Sequence, residues 1–84
     1  MIELLTLEQF REYKAIGKGF VAITDKNLSK NCVHDTSCNF VKERYFSQKV
    51  IESGRKNGSY YQTDDYNEAF ERFEKMQRCQ FCLP

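Results

Sequence analysis

Two short groups of thiol and imidazole side chains place the strongest constraint on how this chain can fold. Cys79 and Cys82 form a C-x2-C pair near the end of the chain, and His34 and Cys38 form an H-x3-C pair near its middle. A C-x2-C turn lets two thiolates face one ion, and a second pair completes a tetrahedral set. Three thiolates and one imidazole suit Zn²⁺, so the sequence predicts one structural zinc site built from both pairs.

Cys32 leaves a second ligand set open, because it lies two residues before His34. If His34 is not a ligand, Cys32 completes an all-thiolate set with the other three cysteines. Four cysteines could also form two disulfides in an oxidising compartment. The sequence shows no secretory signal pattern and no membrane-length apolar stretch, so we expect a cytoplasmic protein in which thiols stay reduced and paired cysteines bind metal.

The length of 84 residues is that of one small domain, here predicted over residues 1–84. Cores of this size are marginal, and a structural metal often supplements them. Binding of zinc supplies on the order of 10 kcal/mol of folding free energy. We therefore expect the metal-free chain to be largely unfolded. A net charge of +1 gives no general argument for an acidic partner.

Local patterns predict an α+β fold with two helices and a short antiparallel sheet. Thr6 and Gln9 form a capping box at the start of a helix over residues 7–15, and Asp64 or Asp65 begins a second helix over 65–76. The second helix is expected to deliver Cys79 and Cys82 directly. The predicted strands cover residues 20–24, 45–52 and 59–63, with a polar loop at 25–31 and a projecting hairpin turn at 54–58.

The motifs of known zinc enzymes are missing from the sequence. Zinc deaminases carry H-x-E and P-C-x2-C, whereas here Asp35 and Thr36 follow His34 and Arg78 precedes Cys79. The chain also lacks H-E-x2-H, and its single histidine excludes a multi-histidine metal site. We therefore expect a protein without enzymatic activity.

The region of residues 31–84 resembles the zinc-binding domain of the bacterial Ada DNA-repair protein, whereas residues 1–30, a helix and a strand, have no counterpart in it. The resemblance is carried by His34-x3-Cys38, Tyr45-Phe46, Tyr60-Tyr61 after a glycine-containing turn, Glu68-Ala69, and Cys79-x2-Cys82-x-Pro84. It implies a zinc fold near DNA. It does not imply methyl transfer, because His34 stands at the position of the methyl-accepting cysteine.

Two kinds of partner are compatible with the sequence. A DNA-binding surface would combine basic side chains for phosphates with aromatic rings for bases; the candidates are Lys42, Arg44, Lys49, Arg55, Lys56, Tyr60, Tyr61 and Arg78. Alternatively, the domain is an accessory module that contacts another protein. Its contact surface would be the acidic helix with Glu68, Glu71 and Glu74, or the first helix through Phe10 and Tyr13.

Overall fold

One five-stranded sheet forms the centre of the computed structural model, which describes residues 1–27 and 30–83. The strands lie in the order β1-β4-β2-β3-β5, and all neighbours are antiparallel except β3 and β5. With helices packed on the sheet, this architecture confirms the predicted α+β class. The strands are β1 (Ile2–Leu4), β2 (Phe20–Asp25), β3 (Lys30–Asp35), β4 (Tyr60–Thr63) and β5 (Met76–Arg78).

Helix α1 (Leu7–Ile16) confirms the predicted first helix and its capping box. The Thr6 hydroxyl accepts a hydrogen bond from the Gln9 backbone N–H at 3.1 Å, and the Gln9 side chain accepts one from the Thr6 N–H at 3.1 Å. Gly17 ends the helix in the left-handed conformation, with φ of 70°. These signals are local, which is why the sequence alone predicts this element closely.

The strand predicted over residues 45–52 is wrong, because this segment is helical. Helix α2 (Glu43–Phe46) continues directly into π-helical turns over Ser47–Glu52. Phe46 and Val50 are both buried, and their spacing of four fits one face of a helix as well as one face of a strand. Gln48, which a strand would have placed on that same buried face, is exposed.

The hairpin predicted around residues 54–58 is also wrong, although the strand after it is present. Strand β4 pairs with β1 and β2 and makes no ladder with residues 45–52. The turn does not project from the domain. The Asn57 carbonyl accepts a hydrogen bond from the Lys26 N–H at 2.8 Å, and the Arg55 guanidinium forms an ion pair with Glu3 at 3.2 Å.

Gly58 lies so close to β2 that no other residue fits at this position. A Cβ placed there would overlap the Thr24 carbonyl oxygen, which belongs to the backbone and cannot move aside. We expect Gly58→Ala to lower the free energy of unfolding by about 3 kcal/mol. The matched control is Gly54→Ala, because a Cβ at Gly54 would meet open space and only the positive φ of 59° would strain an alanine there. This variant should lower the free energy of unfolding by about 1 kcal/mol. Equal losses in chemical denaturation of the two variants would contradict this prediction.

Helix α3 (Tyr66–Arg72) is shorter than the predicted helix over 65–76. Asp65 caps it, as expected, by accepting a hydrogen bond from the Asn67 N–H at 2.9 Å. The backbone leaves the helix at Phe73, which is extended, and reverses at Lys75, where φ is 57°. Strand β5 follows, so a strand and not a helix delivers the C-x2-C pair.

The two faces of the sheet carry separate apolar clusters. Helices α1 and α2 cover one face, where the rings of Phe10 and Phe46 stack with centroids 4.6 Å apart. Helix α3 covers the other face through Ala69, beside Val33 of the sheet. The four cysteines all belong to or pack against the first cluster. The covered face of the sheet therefore runs directly into the candidate metal centre.

Candidate metal centre

The predicted ligands His34, Cys38, Cys79 and Cys82 come together at one end of the first apolar cluster. Their ligand atoms all lie within 4.8 Å of one another, and the Sγ atoms of Cys38 and Cys79 are 3.9 Å apart. Three of the four side chains are buried. This donor set could hold a metal ion, and its three sulfurs and one imidazole nitrogen fit the coordination that proteins offer to zinc.

Parallel pairing of β3 with β5 brings the two halves of the centre together. Val33 pairs with Arg78, and the Cys79 N–H donates to the Val33 carbonyl at 3.0 Å. His34 and Cys79 are the next residues after this pair in their two segments, so the pairing places them side by side. The loop predicted over 25–31 is too long at both ends, because β2 extends to Asp25. Strand β3 begins at Lys30, and residues 28 and 29 lie outside the described residues.

A tight turn after β3 places Cys38 beside the other ligands. The Cys38 N–H donates to the Asp35 carbonyl at 2.9 Å, and the Ser37 N–H donates to the Asp35 carboxylate at 2.9 Å. The Asp35 N–H in turn donates to Cys82 Sγ at 3.2 Å. A backbone amide directed at a sulfur stabilises thiolate charge, as expected around a metal-binding thiolate.

The C-x2-C turn provides the same kind of support for Cys79. Burial by itself would raise the pKa of the Cys79 thiol, but hydrogen bonds from the backbone amides of Cys82 and Phe81, together with those to the thiols of Cys82 and Cys38, outweigh it and lower the pKa. The pKa of Cys82 is instead raised to about 12, chiefly by burial. A metal cation would remove this penalty, because a coordinated thiol is deprotonated.

The imidazole of His34 provides a second reason to regard this residue as a possible metal ligand. Its Nδ1 atom is buried and has no hydrogen-bond partner within the described residues. Burial also lowers the pKa of His34, which favours the neutral ring that metal coordination needs. Buried polar atoms in native proteins nearly always have a hydrogen-bond partner or a metal to coordinate. The unpartnered Nδ1 is therefore consistent with His34 acting as a metal ligand.

Cys32 lies beside the cluster but is not one of its four members. It shares a face of β3 with His34, since residues two apart in a strand point the same way. Its thiol contacts the Val33 carbonyl at 3.9 Å, and burial raises its pKa. The geometry thus assembles the mixed set with His34, and Cys32 packs against the apolar side of the centre.

Several residues predicted to bind DNA are engaged within the fold. Tyr60 is only 2% exposed, so the prediction that its ring stacks on bases is wrong. Tyr61 lies on the opposite sheet face against Phe73, with ring centroids 4.9 Å apart. Lys49 forms an ion pair with Asp25 at 3.2 Å. The predicted cations outside any ion pair in the described part of the chain are Lys42, Arg44, Lys56 and Arg78.

The predicted protein-contact surfaces are likewise changed by the structure. Phe10 and Tyr13 are buried in the first apolar cluster, so α1 cannot present them to a partner. Glu68 forms an ion pair with the N-terminal amine at 3.1 Å and accepts a hydrogen bond from Thr63 at 2.7 Å. Of the acidic side chains named for this surface, Glu71 and Glu74 are exposed.

Sequence reasoning missed two exposed rings beside the metal ligands. Phe40 and Phe81 each follow a cysteine ligand by two residues, and their ring centroids lie 4.9 Å apart. The repeated Cys-x-Phe spacing was the available signal, because ligands that meet at one ion bring their neighbours together. Phe40 also borders a groove of about 640 Å³ that reaches His34 and Tyr45.

Comparisons with protein-family profiles, with curated proteins and with solved structures find no match to this chain. The resemblance to the Ada zinc-binding domain therefore stays a prediction. In the part of the chain that the structure describes, none of the helices is long and apolar enough to cross a membrane.

Proposed function

We propose that this protein is a small binding module whose fold is held by one structural Zn²⁺ on His34, Cys38, Cys79 and Cys82. The observation that carries the proposal is the convergence of these four ligand atoms within 4.8 Å, with the His34 Nδ1 buried and unpartnered. Two ligands come from the β3 end and its turn, and two from the chain after β5. The ion would cross-link these segments, which no disulfide joins.

A structural role is favoured over a catalytic one by the number of ligands. Catalytic zinc keeps a coordination position open for water or substrate, whereas four protein ligands complete a tetrahedral site. The centre is also largely buried, which limits access of a substrate to the ion. We therefore propose a protein without enzymatic activity, which acts by binding. Zinc is preferred over other ions because the set is rich in thiolates.

The metal content and ligand set can be tested on the purified chain. Elemental analysis should find one zinc per chain, and Co²⁺ substituted for it should show the absorption of a tetrahedral, thiolate-rich site. His34→Ala should alter the Co²⁺ spectrum and weaken binding by at least tenfold, whereas Cys32→Ser should leave both nearly unchanged. The reverse result would assign the all-cysteine set. Absence of stoichiometric metal would overturn the proposal.

A nucleic-acid partner is the binding role that the surface favours. The exposed cations Lys42 and Arg44 have no acidic partner among the described residues, and both lie beside the exposed ring of Tyr45. The resemblance to the Ada domain supports the same class of partner. The alternative of a protein partner keeps the exposed Glu71 and Glu74 as its surface, and a separate groove of about 520 Å³ reaches Glu74.

A further inference from the structure

We infer that the face next to the metal centre binds single-stranded nucleic acid, with bases stacked on Phe40, Phe81 and Tyr45 and phosphates on Lys42 and Arg44. We call these five residues the aromatic-basic face. The inference rests on the proposed function, since a metal held by Cys38 and Cys82 fixes the turns that carry both phenylalanines. It goes further by naming the form of the ligand and the surface that binds it.

The three aromatic rings of this face are exposed to solvent. Phe81 is 78% exposed, Phe40 is 47% exposed and Tyr45 is 38% exposed. Large apolar side chains grouped on a surface mark binding sites more often than chance placement does. Phe40 and Phe81 are tilted by 46° to each other, so their outer surfaces form two adjoining platforms and not one closed stack. Such platforms suit successive unpaired bases.

Positive charge accompanies the rings. The Arg44 guanidinium lies 5.2 Å from the centre of the Tyr45 ring, and the Lys42 ammonium lies 6.0 Å from it. The nearby Glu43 carboxylate does not cancel them, because both of its oxygens bond to Arg11, at 2.7 and 3.0 Å. A strand of phosphates would therefore meet uncompensated cations beside the aromatic surfaces, the combination used by proteins that bind single strands.

The adjoining groove also offers polar groups. It has a volume of about 640 Å³, and Phe40 and Tyr45 lie on its wall. Gln48 and Asn57 also line it, and their side-chain amides make no hydrogen bond within the described residues. An amide both donates and accepts, so these two groups match the edge of a nucleobase that has left a base pair.

The test is binding of zinc-loaded protein to a fluorescein-labelled single strand of about 12 nucleotides, followed by fluorescence anisotropy. DNA and RNA strands of the same sequence, together with the DNA duplex, form separate arms. We expect salt-sensitive binding to single strands that exceeds binding to the duplex by at least tenfold. The DNA and RNA arms then show which nucleic acid is preferred.

Matched variants distinguish stacking from general folding effects. Phe40→Leu and Phe81→Leu keep apolar volume and should each weaken binding about tenfold, because a stacked ring contributes roughly that much. Phe70→Leu is the control, since Phe70 is 39% exposed on α3 and lies on the other side of the sheet. It should change affinity less than twofold. Arg44→Gln should make the affinity depend less steeply on salt concentration, by the amount that corresponds to the loss of about one phosphate contact.

The following results would overturn the inference while leaving the metal proposal intact. They are stoichiometric zinc with no single-strand binding, stronger binding to the duplex, and an equal loss of affinity in Phe70→Leu. A concentration-dependent dimer in sedimentation that Phe81→Leu abolishes would also overturn it, and would assign the face to a protein contact. Loss of zinc in the wild-type protein would instead contradict the proposed function itself.

Discussion

Removal of the metal is expected to unfold the protein at 25 °C. Coordination by three thiolates and an imidazole contributes on the order of 10 kcal/mol of folding free energy. A domain of 84 residues has a net stability of roughly 4 to 13 kcal/mol in total. Loss of the ion would therefore remove most or all of that margin. It would also leave the His34 Nδ1 atom buried without a partner.

The measurement is far-ultraviolet circular dichroism and thermal melting with and without a strong chelator, under reducing conditions. The helix and sheet signal should collapse on chelation and return when Zn²⁺ is added back. Cys79→Ser should reproduce the effect without chelator, because Cys79 is a buried member of the cluster. Cys32→Ser is the matched control and should melt within a few degrees of the wild type. Identical melting of the protein with and without chelator would rule out a structural ion.

The metal ligands could be predicted from the sequence because their signal is short and chemical. His34-x3-Cys38 and Cys79-x2-Cys82 are recognisable before any fold is known. The same holds for the Thr6 cap of α1, whose donor and acceptor lie three residues apart. What could not be predicted is how the pairs meet. The parallel pairing of β3 and β5 joins segments more than forty positions apart, and no local pattern specifies it.

Short elements account for the other errors. Strand β5 has three residues, and Met76 continues the apolar spacing of α3, so the pattern alone favoured a longer helix. The structure shows that Met76 pairs with Asn31, whose side-chain amide also donates to the Glu74 carbonyl at 2.7 Å. Sheet pairing therefore ends α3 earlier than helix propensity would. The strand predicted over residues 45–52 was wrong for a different reason. The buried residues Phe46 and Val50 are four positions apart, a spacing that fits a helix and a strand equally.

Phe46 is the side chain whose truncation should cost most outside the metal centre. It is 0% exposed, stacks on Phe10 and meets the Tyr60 ring edge-on with centroids 5.1 Å apart. These contacts join α1, α2 and β4, so removal of the ring opens a cavity that no single neighbour can fill. We expect Phe46→Ala to lower the free energy of unfolding by about 3 to 5 kcal/mol in the zinc-loaded protein.

The same substitution at Phe70 separates packing from the general effect of losing a phenylalanine. Phe70 is 39% exposed and touches only the edge of Tyr66 among the aromatic rings of the described residues. Phe70→Ala should therefore cost about 1 kcal/mol or less. Urea denaturation at a fixed excess of Zn²⁺ measures both variants, because saturation keeps the contribution of the metal constant. A loss below about 1.5 kcal/mol for Phe46→Ala would contradict the argument. It would mean that the neighbouring side chains relax to fill the space left by the ring.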